Sequence, residues 1–155
     1  MKLNRLRPRP LRLTPQQTRE VRTQFAALCW RMRKDRPEFL LITGRRSRRW
    51  GLPRGWPMPG HAPAEAAAVE AFEEAGVSGE TGDVCLGIYT APPARACGDV
   101  PRVVAVFPLR VTDEHEEWPE RGQRRRRWVR RKKAAALLRA PELARLILDF
   151  DPARL

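Results

Sequence analysis

Cysteine is scarce in this chain and unpaired. Cys29, Cys85 and Cys97 are odd in number and widely spaced, and no C-x-x-C pair occurs. That excludes a disulfide framework and a zinc site built on cysteine pairs. The expectation is three reduced thiols in or near the core, where free cysteine is most often found. Long apolar runs are missing too. No stretch approaches the roughly 18 apolar residues that a membrane-spanning helix needs. Met1 to Thr14 is basic and broken by proline, without the apolar h-region of a secretory signal. The expected compartment is therefore the cytoplasm. Lysine is nearly absent: it supplies 4 of the 31 basic residues, and arginine supplies the other 27.

What is present is one domain's worth of chain, 155 residues, of which 42% are hydrophobic. That apolar content supports a packed core rather than disorder. The net charge is +13, and it is carried by planar guanidinium groups that match phosphate oxygens in paired hydrogen bonds. Such a surface attracts polyanions at low salt, so nucleic acids, nucleotides and highly phosphorylated small molecules are the partners to weigh. A coding bias toward arginine would give the same composition with no functional content.

Residues 1–18 read as a basic tail interrupted by Pro8, Pro10 and Pro15, and residues 19–155 as a single domain. Strands are expected over Val21 to Met32, Phe39 to Thr43, Trp50 to Leu52, Val84 to Thr90, Val100 to Val111, and around Trp128-Val129. The segment Pro53 to Pro63 holds four prolines and two glycines and reads as a loop. Pro63 to Ala75 is a helix by its Ala- and Glu-rich interior, with proline at its start and Gly76 past its end. Ala134 to Ala140 and Pro141 to Phe150 close the chain as helices, the second with Leu143, Leu146, Ile147 and Phe150 on one face. Strands and helices in this order indicate an α/β protein with a mixed sheet and helices on its faces.

On a helical wheel Glu70, Glu73 and Glu74 gather at i, i+3 and i+4, opposite Ala64, Ala68, Ala71, Phe72 and Ala75. Like charges at this spacing cost an isolated helix roughly 0.2–0.5 kcal/mol, and the helix dipole disfavours anions near the C-terminal end. No Lys or Arg lies in the segment to offset them. A divalent cation would, and Mg²⁺ prefers hard carboxylate oxygens. A solvated acidic face, or pairing with arginines elsewhere, is the plainer alternative.

The surrounding residues decide between these. Gly55-x5-His61-x7-Val69-Glu70-Ala71-Phe72-Glu73-Glu74-Ala75-Gly76-Val77 resembles the Nudix box, G-x5-E-x7-R-E-U-x-E-E-x-G-U with U aliphatic. Gly55, Glu70, Glu73, Glu74, Gly76 and Val77 match in register; His61 stands where the family has Glu, and Val69 where it has Arg. Trp50-Gly51-Leu52-Pro53-Arg54-Gly55 is similar to the W-x-x-P-K/R-G lead-in of the family. Over residues 20 to 140 the order of features is similar to that of diphosphoinositol polyphosphate phosphohydrolases and their bacterial relatives. The resemblance implies a Nudix-type α/β/α sandwich and Mg²⁺-dependent hydrolysis of a diphosphate linkage by water, with Mn²⁺ as the alternative metal. It implies Glu70 and Glu74 as principal metal ligands and Glu73 as an assisting one. The general base would be Glu70 or a loop carboxylate among Glu116, Glu117 and Glu120, with Glu117 the expected choice and Glu73 contributing to catalysis.

Arg45, Arg46, Arg48 and Arg49 precede the box, Arg54 and Gly55 sit at its entry, and Arg102 lies on the long strand. Arg45, Arg46, Arg48, Arg54, Gly55 and Arg102 are the expected substrate contacts, fitting a ligand with five or more phosphates such as a diphosphoinositol or diadenosine polyphosphate. Arg121 to Lys133 carries nine basic residues in thirteen and invites a nucleic-acid reading with Trp128 as a stacking platform. Trp128 in a buried strand is the favoured alternative. Removal of diphosphate from RNA 5′ ends, and a non-catalytic module that binds a phosphorylated ligand, remain as further readings.

Overall fold

The computed structural model describes residues 22–92 and 101–155. The expected basic tail, Cys97 and the Val100 end of the long strand lie outside them. The chain runs β1 (Arg22–Arg33), β2 (Arg36–Thr43), β3 (Trp50–Gly51), β4 (Arg54–Gly55), α1 (Pro63–Ala75), β5 (Val77–Thr81), β6 (Gly87–Ala91), β7 (Arg102–Glu114), β8 (Arg126–Arg130), α2 (Arg131–Leu137) and α3 (Pro141–Asp149), ending in a 3-10 turn at Pro152–Arg154.

The strands form one sheet in the order β3-β2-β1-β7-β5, with β4 beside β1, β6 beside β7 and β8 beside β2. β1 and β7 run parallel, Arg22 opposite Arg102 through Trp30 opposite Arg110, while the other pairs are antiparallel. This is the expected mixed sheet. Its central strands are apolar on both faces, as strands covered on both sides must be. Ala27, Cys29, Leu40, Ile42 and Leu109 meet Ala67, Ala71 and Ala75 of α1. Ala26, Leu28, Trp30, Phe39, Leu41, Val104 and Val106 meet Ala134, Leu138, Leu143, Ile147 and Phe150 from α2, α3 and their ends. The result is the α/β/α sandwich.

Several boundaries depart from the sequence reading. β2 begins at Arg36, before Phe39, because Lys34 and Asp35 both take positive φ (49° and 57°) and close a tight hairpin that pairs Arg36 with Arg33. The proline-rich loop opens on a short strand, β4, whose two residues pair with Phe25 and Ala26. β5 was not expected from the sequence; Gly79 permits it, because a Cβ there would collide with the Arg110 carbonyl. Val84, expected in a strand, is exposed, and β6 starts at Gly87. α2 starts at Arg131, three residues early, and ends at Leu137. On α1, Ala66 and Ala67 are buried, whereas Phe72 packs edge-on against His115 instead of facing the sheet. Cys29 is buried as expected, but Cys85 is exposed.

Candidate active site

α1 starts cleanly: Pro63 occupies its first turn, and the Glu65 carboxylate accepts the Ala62 N–H at 3.0 Å. It stops at Gly76, which turns left-handed at φ 66°. Docking of the alanine face on the sheet leaves Glu70, Glu73 and Glu74 together on the flank, each partly buried.

Three other segments close on that flank. β4 passes beneath it: Gly55 faces the Glu70 carboxylate so closely that any Cβ there would overlap it, and the Arg54 N–H donates to Glu74 Oε2 at 3.2 Å. The loop between β7 and β8 is fastened to the last turn of α1. Its His115 N–H donates to the Gly76 carbonyl at 2.8 Å and its Glu120 N–H to the Glu73 carbonyl at 3.0 Å. Arg126, on β8, caps the helix through the Ala75 carbonyl at 2.7 Å and lies 4.2 Å over the Trp118 ring. Arg124 then enters the carboxylate group. Its Nη2 reaches Glu74 Oε1 at 3.1 Å and Glu120 Oε1 at 3.4 Å, and its Nη1 donates to the Thr43 carbonyl at 3.2 Å. From the β2–β3 turn Arg45 approaches Glu120 at 3.5 Å.

The electrostatics record the crowding. Burial pushes Glu74 up to about 7, helped by Glu70 and Glu120; Arg124 and the Arg54 N–H oppose the rise. Burial also raises Glu70, as do Glu73 and Glu120, against Arg124. Among the described residues no three carboxylate, imidazole or thiolate groups already surround a common point. The donor set nevertheless fits a hard divalent cation: Glu70, Glu74 and Glu120 offer oxygens only, and their mutual repulsion is what added positive charge relieves.

The structure thus brings Gly55, Glu70, Glu73 and Glu74 together and adds Arg45. Arg54 joins through its backbone, while its guanidinium turns to the Tyr89 hydroxyl at 3.1 Å. Arg46 and Arg48 are exposed on the same turn as Arg45. Arg102 donates to the Pro92 carbonyl at 2.7 Å. Of the three loop carboxylates it is Glu120 that reaches the box. Glu117 is 83% exposed and paired with Arg121, and with Glu116 it lines a separate open cleft beside His115 and Trp118. His61 is exposed, its Nδ1 3.3 Å from the Pro59 carbonyl. Trp128 is held in place: its indole donates to Glu114 at 2.7 Å and Arg31 lies 4.0 Å over its ring. The sequence reading takes Arg124 and Arg126 only as members of the basic run, because they stand among residues of their own kind.

A model of the NUDIX domain matches residues 22–150. Diphosphoinositol polyphosphate phosphohydrolase 2 of Rattus norvegicus is 30% identical over 155 residues, covering 92% of this chain and 83% of that protein. The mitochondrial Nudix hydrolase 12 of Arabidopsis thaliana is 37% identical over 90 residues, 56% of this chain; the match spans 44% of that relative's own length. Among solved structures, the C. elegans Ap4A hydrolase superposes with a TM-score of 0.61 at 19% identity, covering 83% of this chain and 94% of that one. A NUDIX hydrolase from Nitrosomonas europaea gives 0.63 at 22%, covering 83% and 87%. At such identities the superpositions speak for the fold, and the domain match together with the phosphohydrolase relatives speaks for the family: this chain belongs to the Nudix hydrolases.

Proposed function

We propose that this protein hydrolyses a diphosphate linkage in a highly phosphorylated small molecule, a diphosphoinositol or diadenosine polyphosphate. The observation that carries the reading is the gathering of Glu70, Glu74 and Glu120, partly buried, against Gly55 with the arginine-rich β2–β3 turn at their edge. Glu70 and Glu74 would hold the metal, Mg²⁺ or Mn²⁺, with Glu73 assisting. When bound, that ion neutralises phosphate charge and makes water a better nucleophile at neutral pH. Glu120, rather than Glu117, would accept the proton of the attacking water; the support is that its side chain lies between Arg124 and Arg45 at the edge of the box.

Arg45, Arg46 and Arg48 share one exposed turn and suit a ligand with several phosphates in reach of paired guanidinium bonds. Gly55 leaves room for the Glu70 carboxylate, and Arg54 steadies Glu74 through its N–H. Arg102, at the start of β7, would be a further contact to the same ligand. Among the relatives, the names diphosphoinositol polyphosphate phosphohydrolase and Ap4A hydrolase point to the same substrate chemistry. Among the described residues no helix is long and apolar enough to cross a membrane.

A second reading, a module that binds a phosphorylated ligand without cleaving it, is favoured by His61, which replaces a box glutamate and turns to the Pro59 carbonyl. Phosphate release in Mg²⁺ separates the two. The panel contains a diphosphoinositol polyphosphate, diadenosine penta- and hexaphosphate, dGTP, ADP-ribose and 5′-triphosphorylated RNA, with Glu74→Gln as control. Turnover of one polyphosphate class, abolished by the substitution, is the expected result. Binding without turnover of any member establishes the second reading, and turnover of RNA alone moves the substrate to RNA 5′ ends.

A further inference from the structure

The last turn of α1 carries no basic residue, so the countercharge for its glutamates must come from elsewhere. It comes from Arg124, 50 positions from Glu74. The pair is well shielded, with side chains 13% and 11% exposed, and Arg124 also touches Glu120. Both oxygens of Glu74 are engaged, Oε1 by Arg124 and Oε2 by the Arg54 N–H.

We propose that Arg124 is a resident countercation, holding Glu74 and Glu120 in place until a divalent metal ion takes Glu74 from it. The proposal rests on the metal-site reading given above. A metal ion coordinated by Glu74 competes with these two hydrogen bonds for the carboxylate's lone pairs, and it sets a second positive charge beside the Arg124 guanidinium. The Arg54 N–H is part of the backbone of β4, paired with Ala26, and moves only with the strand. Arg124 makes its bond with the tip of a flexible side chain. Its backbone need not shift, because the neighbouring residue is tied to Thr43 twice: the Thr43 N–H donates to the Arg125 carbonyl and the Arg125 N–H to Thr43 Oγ1, both at 3.0 Å.

On leaving Glu74 the guanidinium keeps Glu120 and the Thr43 carbonyl as partners. Its buried Nε has no partner among the described residues, so the present pose is dictated by the carboxylates rather than by a complete set of donors and acceptors.

Mn²⁺ binding to the full chain, read from the electron paramagnetic resonance of free Mn²⁺, tests this on wild type, Arg124→Gln and Arg124→Lys. Removing a charge a few ångströms from the ion should tighten Mn²⁺ binding by about fivefold in Arg124→Gln, while the metal-free melting temperature falls and the rise on adding Mn²⁺ grows. Arg124→Lys should fall between. Equal or weaker Mn²⁺ binding in Arg124→Gln overturns the proposal. Should that variant fail to fold, the wild-type arginine Nη resonances, assigned against Arg124→Lys, serve instead: those of Arg124 should change as diamagnetic Mg²⁺ saturates the site. If they stay put while Mg²⁺ binds, the proposal is wrong and the metal site stands. If neither Mn²⁺ nor Mg²⁺ binds the wild type, the metal-site reading falls and takes the proposal with it.

Discussion

The indole of Trp118 lies against the α-carbon of Gly76, so close that a Cβ there would stand 2.5 Å from ring atoms Cδ2 and Cε3. The contact presses the β7–β8 loop onto the end of α1 and so sets where Glu120 and Arg124 meet the box glutamates. Gly76→Ala would bring both a left-handed alanine and a displaced indole. It should lower unfolding free energy by about 2 kcal/mol or more, measured by urea denaturation, and reduce hydrolysis beyond what the lost folded fraction explains. A variant of wild-type stability would show that the loop does not need this contact.

Glu120 and Glu117 lie three residues apart in one loop, yet only Glu120 faces the box. Glu120→Gln should lower kcat by about 10²-fold or more at saturating Mg²⁺, with Glu117→Gln close to wild type. The reverse order in initial-rate measurements would return the proton-accepting role to Glu117.

Glu74 sets a pH dependence with a definite sign. Its folded value of about 7 lies above the ordinary 4.5, so between these values the folded state holds a proton that the unfolded state has released. Its contribution is full below the lower value and is lost as pH rises through the upper one. The metal-free melting temperature should therefore fall from about pH 5 to about pH 7.5. Glu74→Gln should flatten the slope, and Mg²⁺ should stabilise most at the alkaline end. Differential scanning fluorimetry checks all three, and a slope unchanged by the substitution would assign it to other groups.

Arg45, Arg46 and Arg48 should act on binding more than on chemistry. Replacing all three by Gln is expected to raise KM for a polyphosphorylated substrate about tenfold with kcat little changed, and to weaken the dependence of KM on salt. A loss confined to kcat would place them in the reaction instead.

Much of this arrangement is legible in the residues themselves. The bounds of α1 follow from Pro63, the Ala-Glu interior and Gly76, all local signals, and the glutamate cluster follows from its periodicity. β5 escaped because its pairing is decided by Gly79 against β7, a contact that short-range preference does not encode. β4 escaped because two residues carry no periodicity at all. Arg124 stands among arginines at 125, 126 and 127, and long-range bonds such as those joining Thr43 to Arg125 help to select which of them faces Glu74. The choice of Glu120 over Glu117 likewise depends on contacts distant in the sequence, among them the backbone bond from Glu120 to Glu73.

The parallel pairing of β1 with β7, Arg22 beside Arg102, bears on how the chain acquires its shape. These central strands are far apart in the sequence, Arg22 pairing with Arg102, so the chain must close a long loop before the sheet's middle bond ladder can form. During synthesis β1, β2 and α1 leave the ribosome before their central partner exists. The alanine face of the helix and the apolar edge of β1 then wait uncovered, at risk of association with other nascent chains. Folding should be slow for a chain of this size, and the hydrolytic site should be among the last features to appear, since it is complete only after Arg124 has arrived.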